Sequence, residues 1–133
     1  MGYKRLGLAF CYGLKDEAVI VEQILCDHGF EVVSVICKVG GKDKTTIGLS
    51  QNNKICPESD SHESMRNPIG QAEVLNAEKT EFNIVLGLCV GHDSLFFKNS
   101  EAMCTVLAVK DRVTGHNPLM PIYTSRSYYE YIK

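Results

Sequence analysis

Six cysteines and four histidines are the residues of this 133-residue chain that could do the most chemistry. Three of the cysteines, Cys11, Cys37 and Cys89, lie at or next to the end of an apolar run typical of a buried strand. His92 follows Cys89 by three residues, which adds a second type of ligand within one helical turn. Thiolates at about 2.3 Å bind Zn(II), Cu(I) or iron–sulfur clusters, so metal binding is the first chemistry to consider.

The elements around these cysteines predict a doubly wound α/β fold. Apolar runs of strand length alternate with patterns of helical period, which is typical of a mostly parallel sheet with helices on both faces. Right-handed crossovers in a flavodoxin-like or Rossmann-like arrangement place four strands in the order 2-1-3-4. A fifth short strand is predicted near Ile122. The predicted strands are 4–11, 31–38, 82–88 and 104–110, and the predicted helices are 14–28, 67–79 and a short one capped by Asp93 or Ser94.

This fold would bring the three cysteines together. Ligands of open α/β sheets bind beyond the carboxyl ends of the strands, at the point where the winding reverses. Neighbouring strands are about 4.8 Å apart, so side chains at adjacent strand ends can reach a common point. A long loop at about 40–66, which carries Cys56, leaves from the same edge. We therefore predict a metal ion (Zn or Fe) or an iron–sulfur cluster held by Cys11, Cys37 and Cys89, with His92 or Cys56 completing the set.

Two other functions fit the same residues. The chain could be a thiol enzyme in which Cys89, at a helix start, is the nucleophile and His92 or His116 is the base. It could also be a non-catalytic small-molecule-binding module with the 40–66 loop as a lid. Lys110 and Arg112 follow the fourth strand and could line the crevice, although a solvated or ion-paired role is the interpretation we favour for Lys110.

Composition narrows the function further. A net charge of -2 with no basic run argues against nucleic acid as a partner, and no apolar run approaches the roughly 18 residues of a membrane span. There is no GxGxxG or P-loop motif, so neither NAD nor a nucleotide is expected. We expect a single domain over 1–133 in the cytoplasm, with reduced thiols. The tyrosines of 128–131 suit either a homo-oligomer contact or the packing of a terminal helix.

Several blocks of the sequence resemble one family. They are AFCYGL at 9–14, VVSVICKVGG at 32–41, NPIGQAEVLN at 67–76, NIVLGLCVGHDSLF at 83–96 and VKDRVTGHNP at 109–118. They are similar to the DUF1847 family of uncharacterised, predicted metal-binding proteins, which implies a metal site here. We also predict that a cofactor or other ligand is bound by Arg66, Asn67, Arg112, His116 and Asn117.

The chain departs from that family pattern in two places. Family members often begin with an extra cysteine-rich segment, whereas this sequence starts directly at the α/β core. The family also tends to have a cysteine just before Asn-Pro, where this chain has Arg66. An arginine beside three thiols would favour an anionic ligand and lower a thiol pKa.

Overall fold

The sheet has four parallel strands. The computed structural model describes residues 1–58 and 61–132. Its strands are β1 (Arg5–Phe10), β2 (Glu31–Ile36), β3 (Phe82–Leu86) and β4 (Met103–Ala108). Their order is β2-β1-β3-β4, and each neighbouring pair is parallel. The predicted α/β class and strand order are therefore confirmed, and the winding reverses between β1 and β3.

Helices cover both faces of this sheet. Because side chains alternate along a strand, Leu8 and Ala9 of β1 face opposite sides. Leu8 packs in a core with Leu14 and Ala18, on the side of α1 (Lys15–Asp27). Ala9 packs in a second core with Leu75 and Phe96, which belong to α2 (Pro68–Ala77) and α3 (His92–Asn99). Two separate cores thus clamp the strands from either side.

The two helix starts differ in how well the sequence predicts them. Helix α2 begins as expected, with the Asn67 side chain accepting a hydrogen bond from the Gly70 N–H at 2.8 Å. Helix α3 begins at His92, one residue after Gly91, so the predicted cap at Asp93 or Ser94 is wrong. Gly91 has a φ of 88°, a left-handed conformation that glycine adopts without strain. The Asp93 carboxylate accepts hydrogen bonds from the Gly91 and Ser94 N–H groups instead.

The segment after β4 is not the one predicted. Ile122 lies in a short helix, α4 (Met120–Tyr123), and no fifth strand occurs in the described part of the chain, so that prediction is wrong. Pro121 lies in the first turn of α4, where a fixed φ and a missing N–H favour a helix start over a strand. A short 3-10 helix, Glu130–Ile132, follows. None of the helices described here is long and apolar enough to cross a membrane.

Candidate thiol site

The ends of β1 and β2 place two cysteines side by side. Phe10 pairs with Ile36 in the parallel register, so the residues that follow, Cys11 and Cys37, are neighbours across the two strands. The Cys37 N–H donates to the Phe10 carbonyl at 2.9 Å and extends the ladder by one residue. The two sulfur atoms are 3.9 Å apart. Both cysteines are only 1% exposed, so the pair lies inside the protein.

A lysine from the far edge of the sheet contacts this pair. Lys110, two residues beyond the end of β4, donates a hydrogen bond from Nζ to Cys11 Sγ. The backbone N–H of Tyr12 donates to Cys37 Sγ at 3.3 Å. Both contacts favour a negatively charged sulfur, because a positive charge and an N–H dipole point at the thiol pair.

These contacts separate the two thiols in acidity. Cys37 donates its S–H toward Cys11 Sγ, and this bond, together with Lys110, lowers the pKa of Cys11 although burial opposes the change. The pKa of Cys37 is raised, because its proton is held by the Cys11 sulfur and because the site is buried. The hydrogen bond between them therefore favours the proton on Cys37 and a negative charge on Cys11.

Helix α2 and its N-cap are bonded to the ends of β1 and β2, next to the two thiols. The Gln71 side chain is fully buried and donates from Nε2 to the carbonyls of Val35 at 2.7 Å and Phe10 at 3.2 Å. The Asn67 N–H donates to the Cys37 carbonyl at 2.7 Å. The predicted ligand-binding residue Asn67 thus caps α2 and anchors Cys37 through its backbone. These bonds fix the spacing of the two strand ends, and with it the distance between the sulfur atoms.

A basic cavity lies next to the thiol pair. It has a volume of about 260 Å³, and its charged side chains are four cations and one carboxylate. Neither cysteine lines it, but their neighbours Tyr12, Gly13 and Lys38 do. The Lys38 ammonium also lies 4.9 Å from the centre of the Tyr12 ring. The charged lining residues are Lys38, Lys44, Arg66, Arg112 and Glu63.

The 40–66 loop supplies one wall of this cavity and is folded by its own polar contacts. Asp43 accepts hydrogen bonds from Thr45 and from the Glu63 N–H, and its pKa is lowered by them. Lys54 is almost fully buried and lies 3.4 Å from the Asp43 carboxylate. Glu63 pairs with Lys44, which lowers the pKa of Glu63. The loop contains two short 3-10 helices, Lys44–Ile47 and Gln51–Asn53.

The remaining predicted metal ligands are placed apart from the pair. Cys89 is half-buried and packs against the core that contains Cys11 and Cys37. His92 begins α3, and Cys56 is exposed. Within residues 1–58 and 61–132, no three histidine, cysteine or carboxylate side chains form a group that could hold a metal ion. The structure thus brings together two of the five predicted ligands.

His116, in the GHNP segment at 115–118, makes its hydrogen bonds within its own turn. The His116 N–H donates to the Asp111 carbonyl at 2.7 Å, and His116 Nδ1 accepts from the Asp111 N–H at 3.0 Å. These two bonds close a turn, which uses one ring nitrogen for structure. Asn117 is exposed. Of the predicted ligand-binding residues, Arg66 and Arg112 line the cavity.

Sequence reasoning missed two central residues. Lys110 was expected to be solvated or ion-paired, yet it contacts the Cys11 sulfur. Its position just beyond β4, at the same sheet edge as the cysteines, was the available signal. Gln71 lies on the buried side of α2, among apolar residues. Because buried polar side chains need hydrogen-bond partners, its position was a signal that it bonds nearby backbone carbonyls.

Comparison with known proteins gives a family but no described activity. A family model described as "Protein of unknown function (DUF1847)" matches residues 1–107. The chain is 52% identical over 124 residues, 93% of its length, to the uncharacterized protein MJ0455 of Methanocaldococcus jannaschii. The chain spans 61% of the length of that curated relative. No solved structure matches the chain.

Proposed function

The chain belongs to the DUF1847 family, and we propose that it is a dithiol redox protein whose working pair is Cys11 and Cys37. The observation that carries this proposal is the 3.9 Å separation of the two sulfur atoms, with the Lys110 ammonium on one of them. In-register neighbours on parallel strands have Cα atoms about 4.8 Å apart, within the roughly 4.4–6.8 Å that a disulfide spans. The pair can therefore form a disulfide without moving the strands.

The acidities assign a role to each sulfur. Cys11, whose pKa is lowered, is the attacking thiolate; Cys37, which keeps its proton, is the resolving thiol. Cys11 attacks one sulfur of a disulfide RSSR′, a new S–S bond forms, the old one breaks, and R′S⁻ leaves and takes the Cys37 proton. Cys37 then attacks Cys11 Sγ and releases RS⁻. The protein pair loses two electrons, the substrate gains them, and an external dithiol restores the reduced protein.

Peptide mass spectrometry after equilibration in glutathione redox buffers tests this proposal. We expect one intramolecular disulfide, Cys11–Cys37, which forms reversibly and is absent from Cys37→Ser. The matched controls are Cys26→Ser and Cys104→Ser, whose thiols lie elsewhere and should leave the midpoint potential unchanged. If the two thiols stay reduced in buffers that oxidise free dithiols, the pair is not a redox centre.

A second candidate function is the binding of a soft metal ion. Two thiolates bonded to a tetrahedral metal at about 2.3 Å are about 3.8 Å apart, which agrees with the 3.9 Å seen here. The described residues supply two thiolates close together, a donor set that suits a soft ion such as Cu(I) with a ligand from solution completing its coordination. Zinc or an iron–sulfur cluster would need further ligands, and Cys89, His92 and Cys56 stay predictions for that role, as does Cys89 for that of nucleophile.

Elemental analysis with a UV–visible spectrum separates the two candidates. Protein purified without oxygen, chelators or affinity metals would carry about one metal ion per chain if the second function holds, and Cys11→Ser or Cys37→Ser would lose it. A metal-free protein that forms the Cys11–Cys37 disulfide supports the first function. The Cys26→Ser variant controls for adventitious metal on an exposed thiol.

A further inference from the structure

We infer that the basic cavity beside Cys11 is an anion subsite, and that the oxidant of the dithiol is a small disulfide bearing carboxylate or other acidic groups. The identification of the ligand as a disulfide rests on the proposed redox function. The negative charge of the ligand is inferred from the cavity alone. Four cationic side chains line a space of about 260 Å³ in a chain whose net charge is -2. A cluster of this sign in such a chain favours a small negatively charged ligand.

Three of the cations have no acidic side chain as a hydrogen-bond or ion-pair partner in the described ranges. Lys44 is paired with Glu63, which is the single carboxylate in the lining. No hydrogen bond or ion pair links Lys38, Arg66 or Arg112 to an acidic side chain within the described ranges. Arginine binds carboxylate and phosphate groups with two parallel hydrogen bonds, so the two guanidinium groups can hold one acidic group between them or two separately.

The cavity and the thiol pair meet at Gly13. A Cβ atom placed on this residue would lie 3.5 Å from Lys110 Nζ and 3.7 Å from Arg112 Nη2. The first nitrogen contacts the Cys11 sulfur, and the second belongs to the cavity wall. The space beside Gly13 is thus within contact distance of both the thiol pair and the basic cavity. It is open because glycine has no side chain. A molecule whose acidic group binds Arg112 therefore has its next atoms near Lys110 and Cys11.

The cavity lining also matches a ligand with an uncharged body. Tyr12 and Ile55 add an aromatic ring and an aliphatic side chain to the cationic wall. A free inorganic ion would leave this apolar surface without a partner. A small organic molecule with an acidic end and a carbon skeleton would cover both parts, as is usual for small-molecule sites.

The test compares disulfides that differ in charge. The rate at which the Cys11–Cys37 disulfide forms is measured by peptide mass spectrometry with three reagents: dithiobis(nitrobenzoate), a dianion; dithiodipyridine, which is neutral; and cystamine, a dication. The background is Cys26→Ser/Cys56→Ser, which removes the two exposed thiols. Electrostatic steering changes such rates by about 10- to 1,000-fold, so we expect the dianion to be favoured over the dication by at least tenfold.

Variants locate the source of the preference. Arg66→Gln/Arg112→Gln should remove most of the preference for the dianion and leave the rate with the neutral reagent within about threefold. Arg126→Gln, which changes an exposed arginine outside the cavity lining, is the control and should behave as the parent. Added salt should weaken the preference in the parent, because screening shortens the reach of the cavity charge.

A binding measurement keeps the inference separate from the redox function. Inorganic pyrophosphate is titrated into the Cys11→Ser/Cys37→Ser variant by calorimetry, and the loss of each arginine should weaken binding by about tenfold or more, as for a hydrogen bond to a charged group. Equal rates with all three reagents and no pyrophosphate binding would overturn the inference while the redox pair stands. No disulfide with any reagent, but arginine-dependent binding of pyrophosphate, would overturn the redox function and the disulfide substrate and leave the anion subsite.

Discussion

Replacing Lys110 by methionine removes the ammonium group in contact with the Cys11 sulfur and keeps a side chain of similar length. An opposite charge within about 4–6 Å lowers the pKa of an acid by about 1–3 pH units. Lys110 is half-buried, so water screens part of its field, and we expect the pKa of Cys11 to rise by about 1–2 pH units in the variant. The bond from Cys37 remains and keeps this pKa below its ordinary value.

The rise has a pH-dependent consequence for reactivity. Only the thiolate is alkylated, and its population below the pKa falls tenfold for each pH unit. At a pH below both pKa values, Lys110→Met should therefore react about 10- to 100-fold more slowly at Cys11. At pH 9 the thiolate predominates in both proteins, so the rates should be similar. The substitution thus shifts the midpoint of the plot of alkylation rate against pH and leaves the rate at alkaline pH unchanged.

Iodoacetamide labelling of Cys11, followed by peptide mass spectrometry between pH 2 and pH 9, measures this midpoint, because the range extends below the parent pKa of about 4. Because Cys11 is buried, the absolute rate includes the opening of the site, but a pH-independent opening step does not move the midpoint. Lys98→Met, a change at an exposed lysine of α3, is the matched control. An unchanged midpoint in Lys110→Met would refute the electrostatic role, and an equal loss of rate at every pH would indicate damage to packing instead.

Three further predictions concern the frame of the site. Gly7→Ala should lower the free energy of unfolding in a urea titration by about 1–3 kcal/mol, because the new Cβ would lie 2.0 Å from Asn83 Oδ1; an unchanged midpoint would contradict this packing. Gln71→Glu should cost about 3–5 kcal/mol, because a buried carboxylate cannot donate to strand-end carbonyls, whereas Glu73→Gln on the exposed face should be neutral in the same titration. The lowered pKa of Asp43 means that its loop contacts are complete above the ordinary pKa of about 4 and are lost as the pH falls through the lower folded value. Hydrogen exchange in residues 40–66 should therefore rise first at acid pH, and Asp43→Ala should show the same rise at pH 7.

The pairing of the two cysteines was within reach of the sequence, for a physical reason. An apolar run marks a buried strand, and parallel strands place their carboxyl ends at one edge, so Cys11 and Cys37 had to lie near each other. The sequence pattern did not predict where a long side chain points or how far it extends. Lys110 crosses from β4, past β3, to the end of β1, and no local pattern encodes such a path.

The wrong prediction of a strand near Ile122 has a local cause. Ile122 follows Pro121, and one proline in the first turn outweighs the strand preference of a β-branched residue.

Cys89 follows the end of β3 by three residues and packs against the core, and in the described ranges it forms no group of three ligands with the other two sulfur atoms, so its metal role stays a prediction. Cys11 and Cys37 directly follow the in-register residues Phe10 and Ile36, which is why their sulfur atoms meet, whereas Cys89 lies further past its strand.

The contact between cavity and thiol pair has a thermodynamic consequence. Oxidation removes the negative charge of Cys11 and leaves Lys110 without its partner, so the oxidised protein presents one more uncompensated positive charge near Arg112. An anion in the cavity should therefore bind the disulfide form more tightly than the dithiol form. Since such coupling is reciprocal, a bound anion must favour oxidation of the pair to the same extent. The midpoint potential of the Cys11–Cys37 pair should become more negative when pyrophosphate is added, and an unchanged potential at saturating pyrophosphate would mean that the two sites act independently.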